Sequence, residues 1–235
     1  MSDPVTFRGF GERALPFLKA LGFHQDRDWF AENKALYEAE VKTPLGDLIE
    51  AASTRFAAKG VPLRGSRKTS LYRVYRDVRF SKNKDPYNTH ASALMTRTGN
   101  KRDNGFVYVH ISNERSFVAS GFYGLEGPQL RALRDLIVRE PDNFRALLAD
   151  MAGHGFDLDR SEALKRTPRG FDDVDDEEMI GWLRLKHFTF IDEIDNAIVT
   201  TPALLERMVR LGTISMPFLA FGWRAIDPLR EEAPA

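Results

Sequence analysis

Residues 106–122 constrain the fold most. Val107, Val109 and Ile111 alternate with Phe106, Tyr108 and His110, and after the polar Ser112-Asn113-Glu114-Arg115 a second run, 117–122, follows. An extended chain turns successive side chains to opposite faces, so two such runs across a short polar link predict an antiparallel hairpin. A hairpin with an apolar face needs a cover. Upstream, Phe10, Ala14, Phe17, Leu18 and Leu21 recur at helical spacing with Gly22 as the stop. A second helix spans 26–41, capped by Asp26 or Asp28, with Trp29, Phe30, Asn33, Leu36 and Tyr37 along one side. Pro44 opens a third, with Leu45, Leu48, Ile49, Ala52 and Phe56 inward and Gly60 at its end.

Residues 92–98 read as a strand and 99–105 as a polar loop. Beyond the hairpin, Glu126-Gly127-Pro128 opens a helix with Leu130, Leu133, Leu136 and Ile137 inside and Arg131 and Arg134 outside. Pro141 starts another, carrying Phe144, Leu147, Leu148 and Met151, which Gly153 and Gly155 end; a short helix at 177–183 and a short strand at 187–191 follow. Thr201-Pro202 opens the last helix, with Leu204, Leu205, Met208 and Leu211, and 216–223 is apolar enough to pack on the core. The expected fold is α+β: N-terminal helices, a central, mostly antiparallel sheet with a hairpin, and C-terminal helices packed on it. It is read as one domain over 1–235, with its core at 7–224 and a frayed tail at 227–235.

The chemistry concentrates in residues 64–88. Eight cations (Arg64, Arg67, Lys68, Arg73, Arg76, Arg79, Lys82 and Lys84) interleave there with Leu71, Tyr72, Val74, Tyr75, Val78 and Phe80. The whole chain balances 34 Lys and Arg against 34 Asp and Glu, which argues against a general polyanion binder, so any anion must be held by a local patch. Aromatic and β-branched enrichment predicts a strand over 71–80. Such a strand puts Arg73 and Arg79 on one face with Tyr75 and Asp77, and Arg76 on the other. Asp77 then reads first as a structural partner for a guanidinium. Residues 81–88 read as an ordered turn, with Asp85 extended before Pro86 and Ser81, Asn83 and Asn88 bonding their own backbone.

Two further segments offer anion donors. Glycines at 121, 124 and 127 feeding a proline-started helix point amides outward, and Lys165, Arg166 and Arg169 form a basic turn ahead of an acidic run at 172–178. Asp77, Asp85 and Glu126 with His90 and His110 are the nearest acid–base groups, and Tyr75, Tyr87 and Tyr123 the nearest hydroxyl donors, but nothing spaces them as a triad. Absence of cysteine excludes disulfides, thiolate metal sites and a cysteine nucleophile. The acidic run lacks the spacing and glycine of a calcium loop, so no metal is expected. No leader or membrane-spanning run is read, which makes a soluble cytoplasmic protein the expectation.

Trp29-Phe30, the run from Arg73 to Tyr87 (Arg-Val-Tyr-Arg-Asp-Val-Arg-Phe-Ser-Lys-Asn-Lys-Asp-Pro-Tyr), Gly121, Gly124 and Pro128, and Leu164-Lys165-Arg166-Thr167-Pro168-Arg169-Gly170-Phe171 occur in that order. With these signatures the chain resembles the domain of unknown function 2461 family from about residue 7 to residue 221. Asn83 stands where such sequences often carry Asp. The resemblance implies a single α+β domain and supplies no activity, cofactor or catalytic residue.

The residues themselves predict a phosphate- or carboxylate-binding pocket, a reading that extends to an enzyme acting on a phosphorylated small molecule. Its anion donors would be Arg73, Arg76, Arg79, Lys82, Lys84, Gly124, Lys165 and Arg166, supported by Asp77 and Tyr87. A second reading is a nucleic-acid-binding module in which Tyr72, Tyr75, Phe80 and Tyr87 stack on bases. In a third, structural or protein-interaction reading, the basic and acidic runs pair inside the fold. No cofactor is called for, and oligomeric state is not legible.

Overall fold

The structure, a computed structural model, describes residues 5–231. Helices α1 (Ala14–Phe23), α2 (Arg27–Tyr37) and α3 (Thr43–Ala58) precede strands β1 (His90–Thr96), β2 (Phe106–Ser112) and β3 (Ser116–Phe122). Then come α4 (Gly127–Arg139), α5 (Pro141–Gly153), α6 (Glu177–Leu183), β4 (Phe188–Ile194), α7 (Asn196–Val199), α8 (Ala203–Ile214), α9 (Met216–Ile226) and α10 (Pro228–Glu231). The strands form one antiparallel sheet in the order β1-β2-β3-β4, with the expected hairpin at its centre. The fold is therefore α+β.

The chain divides into two compact units. Unit 1 comprises Met1–Asp103, Val107–Val118 and Asp192–Thr213; unit 2 comprises Asn104–Phe106, Ala119–Ile191 and Ile214–Ala235. Unit 1 buries Phe17, Leu18 and Leu21 of α1, Leu48, Ile49 and Phe56 of α3, Val107, Val109 and Ile111 of β2, and Leu204, Met208 and Leu211 of α8. The β2 residues are the alternate set that the period-2 pattern turned inward. Unit 2 is built on aromatic rings. Phe144 lies 5.1 Å from Trp182, 5.5 Å from Phe221 and 6.0 Å from Phe218, centroid to centroid, and Phe190 meets Phe218 edge-on at 4.8 Å.

Helices α2 and α3, read as separate, are continuous. Asp26 caps α2 by accepting from the Asp28 and Trp29 amides, both at 2.9 Å. The helix then widens into a π turn at Glu38–Lys42, where the Thr43 amide reaches back five residues to the Glu38 carbonyl. Pro44 has no amide to offer Glu40, so the ordinary i→i−4 pattern cannot pass this point unchanged. Gly22 lies inside the last turn of α1 rather than beyond it, and Phe10 precedes the helix, its amide bonded to the Val199 carbonyl at 3.0 Å. At the other end, the apolar stretch after α8 is itself helical. The tail read as frayed starts with the helical turn α10; residues 232–235 lie outside the described ones.

The strand expected over 71–80 does not form. Leu71 bridges Ala93 of β1 and the Tyr72 amide reaches the Ser92 carbonyl at 2.9 Å. The chain then changes partner. Tyr75 bridges Tyr87, and the Arg76 amide bonds the Pro86 carbonyl at 2.8 Å. Asp77 ends even this pairing by accepting the Arg79 amide at 3.3 Å, a local side-chain bond that competes with a ladder. The turn that follows is ordered as expected at Asn83, whose side chain accepts from the Asp85 amide at 2.8 Å. Asn88 instead uses its side-chain amide to hold the Arg73 carbonyl at 3.2 Å.

Candidate functional site: an aromatic, cation-lined pocket

The irregular segment at 71–75 forms one wall of a pocket in unit 1, about 360 Å³ in volume. Phe30, Lys34 and Tyr37 of α2, Glu38 and Lys42 of the π turn, and Leu45 of α3 form another; Arg67 and Ala91 complete it with Leu71, Tyr72, Arg73, Val74 and Tyr75. The π turn thus shifts the register where Glu38 and Lys42 line the pocket. Its aromatic side is a connected cluster. Phe30 stacks on Tyr87 at 4.5 Å and lies 5.5 Å from Tyr37 and 5.8 Å from Tyr75.

The four cations of the lining differ in what they already hold. Arg67 binds Asp47 and, at 2.9 Å, Glu50; Lys42 binds Glu38 at 2.9 Å. Arg73 and Lys34, both exposed, have no ion-pair partner among the described residues. Burial, with the Glu38 carboxylate and Tyr75 nearby, pushes the Tyr37 hydroxyl up to about 12, so it stays protonated and able to donate. Tyr72 is likewise raised by burial.

Of the residues proposed from sequence, Arg73 reaches this pocket. Arg79 is bound by Asp77 through two bonds at 2.9 and 2.6 Å, and these hold the Asp77 carboxyl down to about 2. Asp77 therefore pairs with Arg79 on the exposed turn. Arg76 donates to the Asp85 carbonyl at 3.2 Å and Lys84 to the Val78 carbonyl at 2.9 Å, both pinning the turn, while Lys82 is exposed on it. Tyr87 is only 3 % exposed and packs on Phe30, whereas Phe80 is 95 % exposed. Lys34, Tyr37, Glu38 and Lys42 were missed because their helix was read for its buried stripe alone. A proline two residues beyond Lys42 was the available sign of a distorted turn.

The remaining proposed residues belong to unit 2. The Gly124 amide donates to His187 Nδ1 at 3.1 Å, and Tyr123 stacks on that imidazole at 3.8 Å. Glu126 and Gln129 form a capping box, with Gln129 accepting the Glu126 amide at 3.1 Å. The Gly124 and Glu126 amides, offered to an anion from sequence, are therefore engaged by the protein's own side chains. Lys165 and Arg166 are exposed on the loop before α6. The acidic run is used locally: Asp176 caps α6, and Arg145 binds Glu178 at 2.8 Å and Asp176 at 3.4 Å.

His90 of β1 and His110 of β2, both in unit 1, stack at 4.4 Å, and the Tyr108 hydroxyl lies 3.2 Å from His110 Nδ1. Burial first, then the neighbouring His90 and Arg115, push His110 down to about 4. Among the described residues no group of three or more His, Asp or Glu is placed to hold a metal, and no helix is long and apolar enough to cross a membrane.

These observations define an α+β protein with a pocket in unit 1 that combines aromatic walls with two cations that form no ion pair among the described residues. The chain belongs to the family described as "Conserved hypothetical protein (DUF2461)", whose model matches residues 13–221. No curated protein and no solved structure matches it.

Proposed function

We propose that unit 1 binds a small molecule bearing a phosphate or carboxylate, with Arg73 and Lys34 holding the anion and the rings of Tyr37, Tyr72 and Tyr75 contacting the rest. The supporting observation is the contrast within the lining: Arg67 and Lys42 are neutralised by their own carboxylates, while among the described residues Arg73 and Lys34 form no ion pair. A guanidinium presents a planar fork of donors that fits either oxyanion, and an apolar surround strengthens that contact. Tyr37 adds a neutral hydroxyl donor at any physiological pH. Phenyl phosphate and benzoate combine the two features and are suitable probes. Each charged contact contributes about 1.5–3 kcal/mol, so Arg73→Ala and Lys34→Ala should each weaken binding by about tenfold or more while circular dichroism stays unchanged. Folded variants that bind both probes as tightly as the wild type would refute the proposal.

A nucleic-acid reading retains one favourable observation, the exposure of Phe80 beside Arg79, whose guanidinium lies 5.9 Å from the ring centroid. Single-stranded RNA bound there should be released steeply by salt.

A further inference from the structure

Arg134 was placed by helical periodicity on the outside of α4, yet it is only 7 % exposed. Its Nη2 donates to the Leu185 carbonyl at 2.9 Å, while its Nε is sealed from solvent and has no hydrogen-bond partner among the described residues. No carboxylate pairs with it among the described residues. Arg131, one turn earlier, is bound to Asp135 at 2.9 Å. It adds like charge beside Arg134 and, with burial as the larger cause, lowers the pKa of Arg134. A guanidinium does not shed its proton to escape such a site, so the buried charge stands uncompensated.

A second sealed and unbonded guanidine nitrogen, Nε of Arg184, belongs to the residue next to Leu185. The loop with the Leu164 to Phe171 signature is tied to these same elements at both ends. The Leu164 amide bonds the Arg184 carbonyl at 2.7 Å and Ala163 bridges Leu185. At the far end Arg131 donates to the Arg169 carbonyl at 3.2 Å and lies 4.2 Å from the centroid of the Phe171 ring. Between these anchors stand Lys165 and Arg166, exposed and without ion pairs among the described residues. Carboxylates of the surrounding elements have partners of their own: Asp135 is bound by Arg131, Asp172 accepts the Gly170 amide at 3.2 Å, and Glu162 lies 3.9 Å from Lys186 and 3.7 Å from His187.

We propose that unit 2 holds a compact oxyanion of the phosphate class, with Arg134 as its buried donor and Lys165 and Arg166 as donors from the loop. Nη2 is committed to Leu185 and Nε is sealed, so Nη1, which has no hydrogen bond among the described residues and is not sealed, is the nitrogen left for the ligand. The number of unpaired cations favours a doubly charged group over a single carboxylate. The site does not depend on the unit 1 pocket.

Isothermal titration calorimetry of the full chain with inorganic phosphate tests this. Arg134→Met keeps the aliphatic bulk and should lose about tenfold or more in affinity, and a Lys165→Ala/Arg166→Ala double variant, confined to the exposed loop, should also weaken binding. Arg73→Ala should leave this binding event intact, which separates it from the pocket of unit 1. No phosphate binding by the wild type at millimolar concentration would overturn the proposal. So would unchanged affinity in the loop double variant, which remains informative even if Arg134→Met fails to fold.

Discussion

Each unit buries a charge, and the two are treated in opposite ways. In unit 1, Asp192 is 5 % exposed and gripped by Arg207, whose Nε reaches Oδ2 at 2.6 Å and whose Nη2 takes the other oxygen. In unit 2, Arg134 is buried to nearly the same degree and meets one carbonyl. Removing a charge from water costs several kcal/mol, which a bidentate partner offsets and a single neutral carbonyl does not. The difference separates a structural charge from one that awaits a ligand. It also reverses the emphasis of the sequence, where residues 64–88 carry the densest positive charge. Much of that charge is already committed, to Asp77, Asp47, Glu50 and backbone carbonyls.

The same substitution in the two units should have opposite signs. Arg207→Met leaves the Asp192 carboxylate buried without its partner and should cost about 3–5 kcal/mol, read as a large drop in urea midpoint. A cost near zero would place Asp192 in contact with water and undo the comparison.

Acid should weaken unit 1 through His110. Its folded-state pKa is about 4 against 6.5 for the free side chain, so between those values the unfolded chain takes up a proton that the folded chain refuses. Stability therefore falls as pH drops from about 6.5 to about 4, and the loss is complete below that window. His110→Phe should flatten this part of the profile; an unchanged slope would assign the pH dependence to other groups.

A smaller effect is expected at Gly170, which holds φ +85 and whose added Cβ would lie 2.5 Å from Arg131 Nη1. Gly170→Ala should cost about 1–2 kcal/mol in backbone strain and push Arg131 away from the loop it anchors. Gly60→Ala is the control, since Gly60 has φ +68 and open space around it. Equal losses in Tm would mean that the Arg131 anchor adds nothing.

What the sequence made legible follows from what periodicity measures. Alternation at Val107, Val109 and Ile111 reports one buried face and the hairpin follows; the apolar stripes of α1, α3, α4 and α8 do the same at helical spacing. Residues 71–80 satisfied both periods because their pairing is divided between β1 and Tyr87, and no single ladder imposes either. Arg134 was misplaced for a different reason. Helical spacing puts Arg134 beside Leu133 at the edge of the apolar stripe, and only the tertiary neighbour at Leu185 decides whether that edge is covered. An unpaired charge is a property of surroundings, so Arg73, Lys34 and Arg134 could not be told from their committed neighbours by composition.

The most direct measurement is the Tm of Arg134→Met in phosphate-free buffer. The substitution removes an uncompensated buried charge worth several kcal/mol and leaves the Leu185 carbonyl without its donor at about 1–3 kcal/mol, so the charge term wins. The expected result is a Tm raised by a few degrees together with loss of the phosphate response. A Tm lowered by several degrees in a variant that still responds to phosphate would contradict it.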